Sequence, residues 1–179
     1  MDVEHSQRFL IPIYDVLDGE HEFTFQVSKP FFEQFKDSEI RDGDLTLKII
    51  LNKQGQNMGL DVRIQGTVNV CCDRCLEYFD LSVEYESGSV EIKSEVSGVE
   101  EDDDEVIYIP EKEKEIDLTQ YVFESICLQV PYRHVHPDDE HGQSTCDPRM
   151  LEKIKQYSVN EEKIDSRWEE LKKYLENNN

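Results

Sequence analysis

The sequence predicts an α+β domain: a curved, mainly antiparallel β-sheet with several helices, one of them a C-terminal helical extension. In the first half of the chain, apolar residues alternate with polar ones, which is the period of a strand with one buried face. In the last third, apolar residues recur every three or four positions, which is the period of an amphipathic helix. The pattern is compatible with an open or a barrel-like sheet of about six strands.

The clearest strand signal lies between residues 45 and 70. Apolar side chains occupy alternate positions in two segments, and the stretch KQGQN between them has the composition of a turn. The alternating residues are Leu45, Leu47, Ile49 and Leu51, then Leu60, Val62, Ile64, Val68 and Val70. This pattern predicts a hairpin with one buried and one wet face. Weaker alternation predicts further strands near residues 9–13, 23–27, 79–85, 90–92 and 106–109.

Helices are predicted at about residues 29–36, 117–128, 148–156 and 160–176. Asp117 and Gln120 have the spacing of a capping box at the start of the second helix. Asp147, directly before a proline, is a candidate cap for the third helix. Ser158 and Glu161 form a second capping-box pattern ahead of the terminal helix.

We expect the α+β domain to span residues 1–156 and a terminal helix with a polar tail to span residues 157–179. An acidic loop is predicted at residues 94–105, because it ends in the run EEDDDE, whose like charges repel one another. The run lacks the glycine turn and the spaced ligands of a calcium loop. The terminal helix has one apolar face, which we expect to pack on the domain, with docking of a partner as the alternative. That face carries Ile164, Trp168, Leu171 and Leu175.

The composition is strongly acidic. Lys and Arg total 19 against 41 Asp and Glu, giving a formal charge of −22 and a pI of about 4.4. This charge argues against broad capture of nucleic acid, because phosphate binding depends on Lys and Arg. An acidic surface suits a basic partner such as a ribosomal protein, and solubility alone is the other interpretation.

The sequence predicts a cytoplasmic protein. Its longest apolar stretches are too short to span a bilayer, and the start, MDVEHSQ, lacks the features of a signal peptide. Five cysteines, an odd number, fit poorly with a secreted disulfide framework. We therefore expect no membrane association.

Three of the five cysteines lie within the stretch CCDRC, in which Cys72 and Cys75 form a C-x2-C pair between two predicted strands. Three interpretations remain open. A redox dithiol usually sits at a helix N-terminus, whereas the sequence after Cys75 has the period of a strand. A structural metal site needs two thiolates from a tight turn and two further ligands. In the third interpretation Cys72 is an ordinary buried side chain. It continues the alternation of Val68 and Val70, so it would point to the same buried face of the strand.

Candidate ligands for the second half of a metal site lie in the loop between residues 130 and 148, which is rich in Pro, His and Asp. Cys72, Cys75, His136 and Cys146 would make a chemically sensible site for a structural zinc ion. Nine residues separate His136 from Cys146, which is longer than zinc-finger spacing. Cys127 falls near the apolar stripe of the helix at 117–128, so we expect it in the core.

The order of these motifs resembles the YceD-like family, the large ribosomal RNA subunit accumulation proteins. The shared features are C-x-R-C-L at residues 72–76, a Φ-D-L segment at 116–118 that begins a helix, and L-x-[LV]-P at 128–131, followed by His136 and Cys146. The resemblance spans about residues 7–150, and the tail beyond looks like an addition. Cysteine-richer members carry a C-x2-C-G near the end, whereas here Cys146 is followed by Asp-Pro.

The resemblance implies a non-enzymatic ribosome-biogenesis factor that supports accumulation or processing of large-subunit ribosomal RNA. We expect it to act through protein–protein contacts with a basic ribosomal protein or assembly factor, with only indirect association with the RNA and with no small-molecule substrate. An acidic composition is compatible with that role.

Two other functions remain as alternatives. One is a zinc- or thiol-dependent enzyme, either a thiol oxidoreductase or a metal-dependent hydrolase with Asp138, Asp139 or Glu140 as its base. No phosphate-binding glycine loop or nucleophile elbow accompanies them. The other is an acidic interaction module, unrelated to ribosomes, that uses the EEDDDE run.

Overall fold

A computed structural model describes residues 7–14, 16–55, 57–94, 106–110 and 113–158. The strands are β1 (Leu10–Pro12), β2 (Gly19–Val27), β3 (Asp42–Gln54), β4 (Asn57–Cys71), β5 (Tyr78–Glu86), β6 (Val90–Ser94), β7 (Val106–Ile109) and β8 (Glu115–Asp117). The helices are α1 (Lys29–Phe32), α2 (Thr119–Gln129) and α3 (Pro148–Tyr157). The acidic run at 100–105 and the helix predicted at 160–176 lie outside the described residues, and the domain division at residue 156 stays a prediction.

The long hairpin of β3 and β4 organises the main sheet. The two strands pair without a register shift from Asp42 opposite Asn69 to Gln54 opposite Asn57, and β2 pairs with the far side of β3. The other side of β4 is shared, because β5 pairs with residues 63–71 and β6 with residues 58–60. A parallel pair of β6 and β7 completes this sheet, and β1 pairs with β8 in a separate two-stranded sheet.

The predicted fold class is confirmed, since the protein is α+β with a mostly antiparallel sheet and a helix at the C-terminal end of the described chain. Over the described strands the main sheet is open, so it does not form a barrel. Within the same ranges, no helix has both the length and the apolar content that a membrane crossing requires.

The core lies on the face of the hairpin that the alternation predicts. Nine inward side chains of β3 and β4 are buried: Leu45, Leu47, Ile49, Leu51, Leu60, Val62, Ile64, Val68 and Val70. Phe9 and Ile11 from the first strand region and Val122 and Ile126 from α2 belong to the same cluster. Burial of each such side chain contributes about 1.5–3 kcal/mol to the free energy of unfolding, relative to an exposed side chain. The hairpin is therefore a stable base for the rest of the domain.

Gly66 allows β4 to pass close to β3. Its φ is +154°, and a Cβ at this position would lie 2.2 Å from the carbonyl oxygen of Asp44 and 2.6 Å from Cα of Leu45. Backbone atoms cannot move aside as a flexible side chain can. The pairing of β3 with β4 therefore requires glycine at position 66.

The helix boundaries correct part of the sequence interpretation. The helix predicted at 29–36 ends at Phe32, and α2 begins at Thr119 without a capping box. Asp117 accepts a hydrogen bond from the Thr119 N–H (3.0 Å), but Gln120 donates to the Glu124 carboxylate instead of reaching back to the backbone. The same spacing of Asp117 and Gln120 occurs with a capping box and without one, so the sequence pattern alone could not distinguish the two.

The cap predicted for α3 is confirmed. The Asp147 side chain accepts a hydrogen bond from the Arg149 N–H at 3.0 Å, and Pro148 occupies the first helical position. This cap is important for the site because it fixes the start of α3 directly after Cys146.

Candidate metal centre

The connection between β4 and β5 is a tight turn that carries the C-x2-C pair. The Cys72 N–H donates to the Glu77 carbonyl and the Leu76 N–H donates to the Cys72 carbonyl, both at 2.9 Å. The Arg74 N–H points at the Cys72 sulfur, at 3.4 Å. We call residues 72–77 the knuckle; as expected from the period of the flanking segments, it is a strand-to-strand corner.

The loop that carries His136 and Cys146 folds back on itself as a small hairpin. The Asp139 N–H donates to the Gln143 carbonyl at 2.7 Å, and the Asp139 carboxylate accepts from the Gln143 N–H at 2.8 Å. Gly142, with φ of +73°, supplies the left-handed residue that this reversal needs. The reversal brings the Cys146 sulfur to 3.8 Å from Nδ1 of His136, although nine residues lie between them.

Hydrogen bonds join the knuckle to this loop. The Asp73 N–H donates to the His134 carbonyl at 3.0 Å, and the His134 N–H donates to the Asp73 carboxylate at 2.8 Å. The Arg74 guanidinium donates to the Ser144 hydroxyl at 2.9 Å. We call the knuckle and residues 131–147 together the clasp, because these bonds hold two distant segments side by side.

The clasp brings together all four predicted ligands. Their ligand atoms lie within 4.8 Å of one another. The sulfur of Cys72 is 3.8 Å from that of Cys146, and the sulfur of Cys75 is 3.3 Å from Nδ1 of His136. Ligand atoms around a tetrahedral zinc ion lie about 3.5–3.8 Å apart, given zinc–sulfur distances of about 2.3 Å and zinc–nitrogen distances of about 2.0–2.1 Å. The arrangement fits a Cys3His zinc site.

The surroundings of the cluster are apolar. Cys72, Cys75 and Cys146 are buried, and the side chains packed against them are Phe79, Val135, Met150 and Leu151. The Phe79 ring lies 4.6 Å from the His136 ring, centroid to centroid, and so limits how far the imidazole can turn. A closed, apolar shell of this kind suits a structural ion more than an open catalytic one.

The thiols of the C-x2-C pair differ in acidity. Burial raises the pKa of Cys72, but backbone N–H groups of Cys75, Arg74 and His136, together with the His136 imidazole, outweigh it and lower the pKa to about 6. Burial raises the pKa of Cys75. A low thiol pKa would also suit redox chemistry, but Cys72 is 0% exposed, and reactive thiols need access to their substrate.

Other candidate residues lie elsewhere. Cys127 is half-buried on α2, and its pKa is raised by burial and by the carboxylates of Glu124 and Glu39. The three acids nominated as a base are exposed, and Asp139 is occupied in the turn of the loop. His134 was not among the predicted site residues, but it is buried and its backbone N–H bonds to the knuckle. The only signal for His134 in the sequence was its position two residues before His136. In a loop, unlike in a strand, that spacing does not indicate that two side chains lie on the same side.

The part of the chain that forms the clasp is also the part that matches known proteins. A family model described as "Large ribosomal RNA subunit accumulation protein YceD" matches residues 60–175, well over half of the chain. The chain belongs to the YceD family. The resemblance to the family is thus confirmed, and all four candidate metal ligands of this YceD-family protein lie within the match. A search of curated proteins and a search of solved structures found no match.

The extent of the YceD match corrects one expectation. It continues to residue 175, so the segment beyond residue 150 is part of the family pattern and not an addition to it. It begins at residue 60, inside β4, and therefore leaves out β1 to β3. The clasp lies entirely within the matched residues.

Proposed function

We propose that this protein is a non-enzymatic ribosome-biogenesis factor that supports accumulation or processing of large-subunit ribosomal RNA. Membership of the YceD family is the observation that carries this proposal, since the family's description names accumulation of the large ribosomal RNA subunit. The protein acts in the cytoplasm, through contacts with a basic ribosomal protein or assembly factor, and reaches the RNA indirectly.

We propose further that Cys72, Cys75, His136 and Cys146 hold a structural zinc ion. The distances and the donor set support this, because three thiolates and one imidazole complete a tetrahedral shell from protein alone. An ion with no open position has no place for substrate or activated water, which favours a structural role. The ion would cross-link segments 61 residues apart, and because the complete site exists only when they meet, its binding free energy would add to the stability of the folded state.

Charge supports a protein partner over direct contact with RNA. The chain carries a formal charge of −22, and phosphate would have to approach against that field. Several exposed cations are already neutralised locally, as Lys48 is by Glu22 and Arg63 by Glu86. A basic partner is attracted by the same field that repels nucleic acid.

The proposal is tested by removing the protein from cells and measuring the ratio of large-subunit to small-subunit ribosomal RNA on a sucrose gradient. We expect the ratio to fall and to recover when the wild-type chain is supplied. A variant with Asp138→Asn and Glu140→Gln should restore the ratio fully, because neither carboxylate is needed in a non-enzymatic factor. An unchanged ratio after removal would refute the ribosomal role, and failure of that variant would favour the enzyme alternative.

A further inference from the structure

A large cavity on the outside of the protein lies beside α2. It is lined by residues 34–40, by α2 and the residues after it, and by Asp73 and His134 of the clasp. Its volume is about 1080 Å³. Pockets for small ligands usually measure about 300–1,000 Å³, so this cavity has room for a segment of polypeptide. We call it the α2 groove.

Apolar side chains lie on two faces of α2, and the core uses only one of them. Val122 and Ile126 are fully buried in the core. Phe123 and Cys127 are half-buried and line the α2 groove together with Val130, directly after the helix. Spacings of four and three positions place these three residues on one side of the helix. A surface helix normally has one apolar stripe, so the second stripe indicates a further packing partner.

Aromatic and aliphatic side chains extend this apolar surface. The rings of Phe35 and Phe123 stack in the groove, with centroids 3.6 Å apart and planes 6° apart. At the C-terminal end of α2, Leu128 is 81% exposed and Tyr132 is fully exposed. Exposed apolar residues are ordinary when they are scattered, but a group of them beside an apolar groove is typical of an interaction site.

The chain itself contains a segment with the matching pattern. One face of the predicted terminal helix carries four apolar residues, spaced by four, three and four positions: Ile164, Trp168, Leu171 and Leu175. Two helices pack when side chains with this spacing on one fill the spaces between those on the other. The family match covers both elements, since it includes α2 and continues to residue 175.

The described chain ends near enough for this segment to reach the groove. α3 begins directly after Cys146, whose sulfur is 3.8 Å from that of Cys72, and the neighbouring Asp73 lines the groove. The ten residues of α3 extend about 15 Å at 1.5 Å per residue. The six peptide units from Ser158 to Ile164 can span up to about 20 Å, so the chain can return to the level at which α3 begins.

Charge and tethering favour this segment over a separate partner. The ionisable side chains that line the groove are nearly balanced, three acidic and two basic: Asp37, Glu39, Asp73, Lys36 and Arg133. Residues 159–179 likewise carry both signs, with six acidic and four basic side chains. A groove of mixed sign gives no preference to a strongly charged partner, so apolar contact decides. A short tether gives the segment a local concentration on the order of millimolar.

We propose that the chain's own C-terminal segment occupies the α2 groove, with the apolar face of residues 164–175 packed against Phe123, Cys127 and Val130. The proposal goes beyond the proposed function and does not depend on it. It gives the second stripe of α2 a partner and withdraws Trp168, the single tryptophan of the chain, from water.

The fluorescence of Trp168 tests the proposal in the full chain, because no other tryptophan contributes. We expect emission at shorter wavelength than in the urea-unfolded chain, and a several-fold lower acrylamide quenching constant. Val130→Ser and Tyr132→Ala remove apolar contacts at the groove and should each raise that constant. Tyr14→Ala is the matched control and should leave it unchanged. Tyr14 is also exposed, but its carbonyl accepts from Lys53, at the far end of the β3–β4 hairpin from the knuckle.

Alkylation of Cys127 provides a second readout, because a docked segment covers the groove in which this thiol lies. Peptide mass spectrometry follows its reaction with a maleimide. The reaction should be at least about tenfold faster in a Trp168→Ser, Leu171→Ser variant than in the wild type. Cys71 is the internal control, since it lines the smaller cavity and not the α2 groove. An unchanged Cys71 rate also shows that the variant is folded.

A Glu169→Ser, Lys173→Ser variant is the matched control within the segment. It keeps the net charge and alters the opposite face of the predicted helix, so the Cys127 rate should equal that of the wild type.

Three outcomes would overturn the proposal. The first is a Trp168 as accessible to acrylamide as in the unfolded chain. The second is a protected Trp168 with a Cys127 rate that Trp168→Ser, Leu171→Ser leaves unchanged, which would place the segment elsewhere, for example on the exposed Ile154 and Tyr157 of α3. The third is protection of Cys127 that rises with protein concentration, which would assign the groove to the segment of a second copy.

Discussion

Asp73 and His134 hold each other through a pair of hydrogen bonds, although they lie 61 positions apart in the chain. The Asp73 N–H donates to the His134 carbonyl, and the His134 N–H donates to the Asp73 carboxylate. Asp73 lies inside the C-x2-C pair, and both residues of the bonded pair also line two adjoining cavities on the outside of the protein. The pair therefore connects the expected zinc site to the protein surface.

Substitution of Asp73 should loosen the clasp. Asp73→Ala removes the acceptor of the His134 N–H, and we expect a loss of about 1 kcal/mol in the free energy of unfolding, because the carboxylate is partly exposed. Asp73→Asn, which keeps an acceptor oxygen, should lose less. Thermal unfolding of both variants, loaded with zinc, measures the difference. Equal stability of Asp73→Ala and the wild type would show that the bond is not needed to close the clasp.

Zinc should bind once per chain and stabilise the fold. Metal analysis of purified protein should find about one zinc, and Cys75→Ser and Cys146→Ser should each lose most of it and unfold at lower temperature. Cys127→Ser is the matched control, because this thiol lies outside the cluster on α2. Addition of a chelator should lower the melting temperature of the wild type and leave Cys146→Ser unaffected. Full zinc content in Cys75→Ser would contradict the ligand set.

Gly66 should tolerate no side chain. The Cβ of alanine would overlap the backbone of Asp44 and Leu45, so Gly66→Ala should destabilise the protein by about 3 kcal/mol or more. Gly88→Ala is the control, since a Cβ there meets no atom within 4 Å. Urea unfolding of the two variants should separate them clearly. Similar midpoints would mean that β3 and β4 can move apart at little cost.

Acid should destabilise the junction of β8 and α2. Burial raises the pKa of Asp117, but hydrogen bonds from Thr119 and the charge and hydrogen bonds of Arg8 outweigh it and lower the pKa below its usual value. The carboxylate is thus more easily ionised in the folded state, so its contribution is present above the unfolded pKa of about 3.9 and lost as pH falls through the folded value.

Asp117→Asn tests this dependence on pH. The variant should be less stable than the wild type at neutral pH, and the difference should shrink as the pH falls below about 4. Melting temperatures between pH 3 and pH 7 would measure it, with Asp18→Asn as the control because Asp18 has no ion-pair partner among the salt bridges of the described residues. A constant difference across that range would mean that the ionised carboxylate is not the stabilising form.

The amino-acid sequence by itself determined the strands and the buried face of the hairpin. Leu45 to Leu51 and Leu60 to Val70 alternate because one face of each strand is withdrawn from water, and that constraint is local. The C-x2-C corner and the Asp147 cap were likewise predictable, because a turn and a helix start depend on a few neighbouring residues. The acidic run and the terminal helix stay predictions.

Tertiary structure alone decided how distant segments meet. The spacing of His136 and Cys146 argued against a shared site, until the reversal at Asp139 and Gly142 placed them 3.8 Å apart. The role of His134, the sharing of one edge of β4 by two strands, and the exposure of Leu76 were equally invisible in the sequence. Each of these depends on contacts between residues far apart in the chain, and local periodicity carries no information about which distant segment will be the partner.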